Sequence, residues 1–381
     1  MIYLDHAATS FPRPERVIRA VERCLRDVAG SPARGGHAGV VDANRVVFGA
    51  RERAARLLGI ADPARVIFTS GATLAINAAL HGTLRPGDHV LTTDMEHNAV
   101  ARPLARLGRR GVEVEAVPHE PDAVRFVAAL DARCRERTRW LVVNHASNVN
   151  GQALDLDAVA HWCTARGVRL GVDAAQTAGL LPLEVDGLGV SWLACSGHKA
   201  LHGPPGVGLL AVGADVPIEP LVQGGTGSHS ESDEQPRELP DALEPGTPNT
   251  PGIAGLGEGL ALVLEEGVAT LHARAQALAR RLEAGLRAIE GVAVWGPGAS
   301  ERAVPVVSFV IEGEDPSLVA MRLEDDWGMR LRVGLHCAPA AHRRLGTFPG
   351  GTVRASPGPL NAEVEIDGLI AAVTELAAGA R

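Results

Sequence analysis

Short apolar runs alternate with helical patterns between about residues 65 and 212. Apolar side chains recur every three or four positions over 72–80, 122–133 and 156–166, which predicts helices there. The runs between them are too short for such helices and predict buried strands. The predicted strands are Val66–Thr69, His89–Thr92, Val112–Val117, Trp140–Val143, Val168–Val172 and Val190–Cys195. Strands that alternate with helices imply βαβ units, and therefore an α/β fold with a mainly parallel sheet.

The pattern changes after residue 212. Residues 223–249 are polar and rich in Gly and Pro, without periodicity, which is typical of a functional loop or one packed against a partner. A long helical region follows over 253–289. Strands are predicted near Val304–Ile311 and Met329–Val333, and a last helix over Asn361–Ala377. We therefore predict a large α/β domain over 15–250 and a smaller α+β domain made of 1–14 and 251–381.

Composition narrows the functional classes. The chain has 381 residues, 46% of them hydrophobic, and a formal charge of −8, which disfavours an extended nucleic-acid surface. Its five cysteines show no CxxC spacing, so neither a disulfide framework nor a metal site is predicted. There is no basic leader and no apolar run near the roughly 18 residues that cross a bilayer. We expect a cytoplasmic protein without nucleic-acid or membrane partners.

One residue type is nearly absent, because Lys199 is the only lysine among 37 basic residues. Arginine can replace lysine wherever only a positive charge is needed, but it cannot become a neutral nucleophile. Lys199 ends the sequence Ser196-Gly197-His198-Lys199, directly after the predicted strand Val190–Cys195. This position predicts a lysine that forms a Schiff base. In the alternative, Lys199 is a surface lysine that remains by chance and has no chemical role.

Other polar residues follow predicted strands in the same way. Asp173 ends one strand, where α/β proteins bind ligands, although it could also cap a helix. Thr73 begins a helix whose free amides could hold a phosphate. His97 and Asn148 follow two further strands, and either one alone could be an ordinary loop residue. A lysine amine and a carboxylate together suit pyridoxal phosphate, which needs one for its aldehyde and one for its ring nitrogen.

Eight motifs in the chain are similar to those of one family. They are Tyr3-Leu4-Asp5-His6-Ala7-Ala8-Thr9, Arg34-Gly35-Gly36-His37, Ser70-Gly71-Ala72-Thr73, Glu96-His97, Val172-Asp173-Ala174-Ala175-Gln176, Ser196-Gly197-His198-Lys199, Glu244-Pro245-Gly246-Thr247-Pro248-Asn249 and Arg332-Val333-Gly334-Leu335-His336-Cys337. With these motifs the chain resembles, almost end to end, the cysteine desulfurase and selenocysteine lyase group of the class V aminotransferases, which are fold-type I enzymes dependent on pyridoxal 5′-phosphate.

The resemblance implies a role for each motif residue. Lys199 would bind the cofactor covalently and Asp173 would pair with its ring nitrogen. His97 would stack on the ring and act in catalysis by moving protons. The remaining cofactor-binding positions would be Ala72, Thr73, Asn148, Gln176, Ser196, His198 and, from the second subunit of a homodimer, Thr247. Ala72 stands where some relatives carry a hydroxyl, so the phosphate loses one donor. His37, Asn148 and Arg354 would bind the substrate, although Arg354 could instead form a structural ion pair.

Cys337 decides which reaction the resemblance implies. It follows a predicted strand of the smaller domain, near His336 and Arg332, whose charges would favour the thiolate. Lys199 would take the Cα proton of L-cysteine, and Cys337 would accept the sulfur as a persulfide while alanine leaves. The short loop around Cys337 resembles that of desulfurases with a dedicated acceptor protein. In the alternative, Cys337 is a small apolar residue in a turn.

Three other functions fit the same motifs. Selenocysteine lyases, other C–S lyases and aminotransferases share the cofactor residues and differ in their need for Cys337. A protein of another class, a non-catalytic scaffold with this fold, could also retain part of the pattern. The pair Lys199 and Asp173 argues against the scaffold.

Overall fold

The computed structural model describes residues 1–32, 35–298, 300 and 302–379. Arg34, in one of the family-like motifs, lies outside the described residues. Within those ranges the strands are β1 Ile2–Tyr3, β2 Val66–Thr69, β3 His89–Thr93, β4 Glu113–Val117, β5 Thr138–Asn144, β6 Arg169–Asp173, β7 Trp192–Ser196, β8 Gly208–Val212, β9 Val292–Trp295, β10 Val307–Ile311, β11 Met329–Arg330, β12 Arg332–Gly334 and β13 Thr352–Ala355. The helices are α1 Glu15–Asp27, α2 Ala38–Leu57, α3 Ala72–Thr83, α4 Asn98–Gly108, α5 Ala123–Asp131, α6 Leu156–Arg166, α7 Thr250–Glu266, α8 Val268–Arg287, α9 Pro316–Trp327, α10 Pro339–Leu345 and α11 Glu363–Gly379.

The larger sheet runs in the order β2-β8-β7-β6-β5-β3-β4. Only β8 is antiparallel to its neighbours, and the other adjacent pairs are parallel. Strands β6 and β7 are buried almost throughout, because helices cover both faces of the sheet. One face packs against α2, α5, α6 and α7, and the other against α3 and α4. The prediction of an α/β fold with a mainly parallel sheet is confirmed.

A second, antiparallel sheet runs in the order β12-β13-β10-β9. Its buried face packs against α8, α9 and α11, and the same core includes Leu4 from the start of the chain. Helix α7 packs on the larger sheet through Ile253, Leu256 and Leu260 before the chain continues into α8. The division at residues 14 and 250 stays a prediction.

Two predicted elements are divided in the structure. The helical region over 253–289 is two helices, α7 and α8, because Gly267 between them has φ +83°, a conformation that glycine adopts without steric penalty. The strand predicted over Met329–Val333 is β11 and β12, which belong to different sheets. Residues 223–249, all described, contain neither helix nor strand, as predicted. None of the described helices combines the length and apolar character needed to cross a bilayer.

Candidate active site

A cavity of about 200 Å³ lies at the carboxyl ends of the parallel strands, between the two sheets. In α/β proteins this edge is where ligands bind. The predicted site residues that line it are Ala72, Thr73, His97, Asn148, Asp173, Gln176, Ser196, His198, Lys199, Cys337 and Arg354. Two predicted residues do not line this cavity. His37 precedes α2 and Thr247 lies in the 223–249 segment, and both are exposed.

Lys199 lies at the cavity floor, in the turn that follows β7. Burial lowers the pKa of its amine to about 8, while the negative charge of Asp173 acts in the opposite direction. Desolvation disfavours the charged ammonium, so a substantial share of this amine is neutral near physiological pH. A neutral amine is the form that attacks an aldehyde or accepts a proton from carbon.

Asp173 is the last residue of β6 and is buried. Its Oδ1 accepts a hydrogen bond from the Ala175 amide at 2.9 Å. Burial raises the pKa of this carboxyl, and the Ala175 amide and Lys199 lower it. The carboxylate and the lysine amine therefore lie together on the poorly solvated floor of the cavity. There the charge of each group shifts the pKa of the other.

Glu96 is a buried acid that belongs to one of the motifs but received no role from the sequence. Its Oε1 accepts hydrogen bonds from Thr93 Oγ1 at 2.6 Å and from the Asn144 amide at 3.0 Å. Its Oε2 is buried without a partner among the described residues. Burial raises the pKa of Glu96 to about 8, and Asp173 adds to the shift. Glu96 is therefore mostly protonated at neutral pH and adds little charge beneath the cavity.

The first turn of α3 faces the cavity through Ala72 and Thr73. The residue before it, Gly71, has no side chain to cap the helix, so the first amides are available to an anion. The Ala72 amide donates to Ser196 Oγ at 3.2 Å. His198 Nδ1 lies 3.1 Å from Thr9 Oγ1. Helix amides, a hydroxyl and an imidazole thus surround one end of the cavity.

His97 caps α4, and its Nδ1 accepts a hydrogen bond from the Ala99 amide at 3.0 Å. Burial, followed by the charge of Lys199, lowers the pKa of His97 to about 4. An Nδ1 that accepts a hydrogen bond places the single ring proton on Nε2. His97 is a neutral imidazole with a fixed tautomer at the cavity wall.

Arg354 on β13 is buried, with 2% of its surface exposed. Its Nη2 donates to Asp5 Oδ1 at 2.7 Å and its Nη1 to the Asn148 carbonyl at 3.0 Å. The ion pair that the sequence left as an alternative is therefore present, while the guanidinium still lines the cavity. Arg332, which the sequence suggested only as a neighbour of Cys337, is a second lining cation and is exposed.

The side-chain amides of Gln176 and Asn148 each donate a hydrogen bond to a backbone carbonyl. Gln176 Nε2 donates to the Ala7 carbonyl at 3.0 Å. Asn148 Nδ2 donates to the His336 carbonyl at 2.7 Å, and its Oδ1 is buried without a partner in the described part of the chain. Since an amide nitrogen carries two protons, Asn148 can hold the His336 carbonyl and still donate into the cavity.

Cys337 occupies a tight turn between β12 and α10. His336 has φ +48° and Cys337 has φ +57°, and the Ala338 amide donates to the Leu335 carbonyl at 2.8 Å. This is a type I′ turn with side chains at both left-handed positions. Each such residue costs about 1–2 kcal/mol relative to glycine. The Asn148 side chain and the Asn98 amide, which donates to the Cys337 carbonyl at 2.8 Å, hold the turn in place.

One part of the sequence interpretation of Cys337 is wrong. Burial, followed by the charge of Arg354, lowers the pKa of His336 to about 2, and His336 Nε2 lies 3.0 Å from Thr352 Oγ1. His336 is neutral and supplies no positive charge to the thiolate. Arg332 remains as the nearby cation from the original prediction.

The other cysteines differ from Cys337 in exposure. Cys337 is exposed, whereas Cys24, Cys163 and Cys195 are buried. Cys134 is partly buried and lies three residues after the end of α5. Burial raises the pKa of Cys163 and of Cys195 to about 12, which leaves both as unreactive thiols.

A model of the family described as aminotransferase class-V matches residues 2–369. The chain belongs to the class-V aminotransferase family. It is 32% identical to a probable cysteine desulfurase of Methanothermobacter thermautotrophicus, over 99% of this chain and 94% of the relative. It is 33% identical to the cysteine desulfurase IscS of Serratia proteamaculans, over 96% and 90% of the two chains.

Solved structures agree with this assignment. An apo cysteine desulfurase from Thermococcus onnurineus superposes with a TM-score of 0.90 at 29% identity, covering 99% of this chain and 95% of that one. The cysteine desulfurase CsdA from Escherichia coli gives 0.88 at 29% identity, with 99% and 94% covered. The fold is that of the fold-type I enzymes, as expected from the motifs.

The family implies pyridoxal 5′-phosphate, and the cavity residues fit this cofactor. Lys199 offers a partly neutral amine for the aldehyde, and Asp173 a buried carboxylate for the ring nitrogen. The uncapped start of α3, with Ser196 and His198, offers donors for the phosphate. The aldehyde, the ring nitrogen and the phosphate of the cofactor therefore each have a chemically matched partner.

The amine of Lys199 should react as a base with a pKa near 8. Formaldehyde and cyanoborohydride modify only neutral amines, so methylation of Lys199 in cofactor-free protein should rise with pH around a midpoint near 8. Mass spectrometry of the Lys199 peptide gives the midpoint without interference, because no other side-chain amine exists. In Asp173→Asn the ammonium loses its carboxylate partner, so the midpoint should fall by about one unit. A wild-type midpoint near that of free lysine would contradict the burial of this amine.

Asn148 should restrain the turn that carries Cys337 and so control how fast the Cys337 thiol reacts. In Asn148→Asp an acceptor replaces the donor to the His336 carbonyl, so the strained turn loses a restraint. Alkylation of Cys337 by iodoacetamide in cofactor-free protein should then speed up about fivefold, the equivalent of roughly 1 kcal/mol. The matched control is Asn150→Asp, since Asn150 Nδ2 donates to Gln152 and not to the turn. Equal alkylation rates in Asn148→Asp and wild type would show that the turn does not need this bond.

Proposed function

We propose that the protein is a cysteine desulfurase dependent on pyridoxal 5′-phosphate, which converts L-cysteine to L-alanine and transfers the sulfur to Cys337. One observation carries the proposal: an exposed thiol and a partly neutral amine, Cys337 and Lys199, line the same cavity. An aminotransferase needs the amine but not the thiol. The curated relatives named above are cysteine desulfurases, which agrees with this choice.

The cofactor supplies, when bound, an aldehyde for the substrate amine and a ring that withdraws electrons from the substrate carbon. Lys199 would hold its aldehyde carbon and Asp173 its ring nitrogen. Thr73, Ser196 and His198 would hold its phosphate, next to the Ala72 amide. Gln176 and Asn148 would contact the ring hydroxyl, and His97 would lie against the ring face with its Nε2 proton available.

The two arginines of the cavity suit the substrate carboxylate. Arg354 already shares its charge with Asp5. The exposed Arg332 forms no ion pair with a described residue, so it provides the positive charge that an incoming anion needs. Lys199 Nζ would then take the proton from the substrate Cα. Its lowered pKa favours this step, because a base that is already protonated cannot accept a proton.

Sulfur transfer needs no external oxidant or reductant. The Cys337 thiolate attacks the sulfur of the substrate; the new S–S bond forms as the C–S bond breaks, and the carbon product gains a proton at Cβ. The overall balance is L-cysteine plus the Cys337 thiol giving L-alanine plus a Cys337 persulfide. The rigid turn around Cys337 holds the nucleophile at the cavity, which shortens the search for a reactive geometry.

The decisive variant is Cys337→Ala. It should lower alanine release from L-cysteine by about two orders of magnitude, because the substrate sulfur loses its acceptor. Alanine and sulfide are measured in parallel, with dithiothreitol as the reductant. The matched control is Cys134→Ala, which removes a partly buried thiol outside this cavity and should keep wild-type rates.

Three results would contradict the proposal. Equal alanine release from wild type and Cys337→Ala would exclude the persulfide. Transfer of the amino group to a keto acid at an unchanged rate in Cys337→Ala would instead identify an aminotransferase. Selenide release that persists in this variant, without activity on cysteine in the wild type, would identify a selenocysteine lyase.

We also propose a homodimer with shared active sites, in the cytoplasm. Exposed apolar side chains, including Val41, Phe48 and Leu74, line two grooves on the surface. Both grooves include Gly246 and Pro248, the neighbours of Thr247. A second copy seated there would bury these side chains and could bring Thr247 to the other subunit's phosphate, which accounts for its absence from the cavity of its own chain.

Phe48→Asp should therefore separate the subunits. The charge would lie in the proposed interface, and its burial there is unfavourable by several kcal/mol. Sedimentation velocity should show a monomer, and equilibrium dialysis should show cofactor affinity reduced about tenfold because the partner's phosphate contact is lost. Val364→Asp is the control, since Val364 is an exposed apolar residue of α11 that lines neither groove. A wild-type monomer with full cofactor affinity would overturn the dimer.

A further inference from the structure

Helix α4 and the two residues that follow it carry a row of arginines that face solvent. Arg102, Arg106, Arg109 and Arg110 are exposed, and none of them forms an ion pair with a described residue, in contrast to the many paired arginines elsewhere, such as Arg135 with Glu113 and Glu115. We call these four residues the arginine stripe. Like charges at i, i+4 spacing destabilise a helix slightly, so the fold itself does not require this arrangement.

The arginine stripe begins next to the nucleophile. The amide of Asn98, the first residue of α4, donates to the Cys337 carbonyl at 2.8 Å. At 3.6 residues per turn, Asn98, Arg102, Arg106 and Arg109 fall within about 80° of one another around the helix. Over this distance α4 rises about 16 Å. A macromolecule that lies along the stripe would therefore have one end near the turn that carries Cys337.

Stabilisation of the helix end by cations explains only part of the stripe. Cations stabilise the last turn of a helix through the helix dipole, which accounts for Arg106, Arg109 and Arg110. Arg102 lies in the second turn of α4, outside the last turn to which that effect is confined. The chain as a whole carries a formal charge of −8, so an exposed row of unpaired cations is a local reversal of its surface potential.

We propose that the arginine stripe is the docking surface for an acidic protein that takes the sulfur from Cys337. This rests on the proposed function, and it adds the chemistry of the partner and the face on which it binds. The partner must supply a thiol: its sulfur attacks the outer sulfur of the Cys337 persulfide, the S–S bond to Cys337 breaks, and the Cys337 thiolate is released. Carboxylates beside that thiol would pair with the stripe and raise the rate of encounter.

An acidic protein suits the stripe better than a nucleic acid. RNA would also be attracted to four arginines, but an ordinary RNA has no thiol to accept a persulfide, and the stripe ends at a thiol. The overall negative charge of the chain would repel a long polyanion outside the stripe. A compact acidic face about as long as α4 avoids that repulsion.

The experiment uses the cofactor-loaded enzyme and synthetic thiol peptides. One peptide carries a single cysteine among aspartates and glutamates, and a matched peptide carries glutamines and asparagines instead. Enzyme charged with radiolabelled sulfur at Cys337 is mixed with each peptide, and the label transferred is followed with time. Binding is measured separately by fluorescence anisotropy, with serine in place of the peptide cysteine.

Two double variants test the location. Arg106→Glu with Arg109→Glu reverses the stripe. Arg125→Glu with Arg139→Glu changes the net charge equally, on α5 at the opposite face of the sheet and at the amino end of β5; both residues are exposed. Alanine release with dithiothreitol, which needs no docking, should be unchanged in both.

The proposal expects the acidic peptide to accept sulfur about tenfold faster than the neutral one at low salt. The advantage and the binding should decrease as salt rises, disappear in the stripe variant and persist in the control variant. Equal rates for the two peptides, or an equal loss in both double variants, would overturn it. So would an RNA that binds through the stripe and is not displaced by the acidic peptide. Failure of wild-type alanine release with dithiothreitol would instead refute the proposed function.

Discussion

The removal of water from one amine is the constraint on which the site depends. Lys199 has a lowered pKa because the large sheet and the smaller antiparallel sheet enclose it. Asp173 is enclosed with it, and its charge limits the shift in the lysine. A more exposed lysine would stay protonated, and one without the carboxylate would lose its opposite charge. The pKa of Lys199 is therefore set by two opposing effects, desolvation of its amine and attraction to the charge of Asp173.

The neighbouring groups keep that balance by staying neutral. Burial lowers the pKa of His97 and of His336 and raises that of Glu96, so none of the three carries much charge at neutral pH. Positive charge in the cavity comes from the protonated share of Lys199 and from the arginines, of which Arg354 is paired with Asp5. An anionic substrate thus meets a small number of fixed cations. The neutral histidines add no second positive site that could bind its carboxylate elsewhere in the cavity.

Much of the larger sheet could be predicted from the sequence, because most of its strands are local apolar runs, and the cavity residues that it supplies, such as Asp173 and His97, lie at or shortly after strand ends. Asn144 at the end of β5 lines the cavity by the same rule, and could have been found with it. The pairing of Asp5 with Arg354 could not, since it joins the two ends of the chain. The neutrality of His336 depends on burial by residues distant in sequence. Local pattern carries no information about either.

The near absence of lysine affects both the protein surface and the reactivity of the site. Arginine keeps its charge at any pH the protein meets and is weakly hydrated, so it can line a docking face or bind a carboxylate, yet it cannot compete with Lys199 as a nucleophile. A chain that uses arginine for every other cation has a single amine side chain that an aldehyde can reach. Covalent attachment of such a cofactor is then directed to one position by composition as well as by the pocket. In the turn around Cys337, two hydrogen bonds hold a strained backbone in place, and with it the one exposed thiol of the described chain.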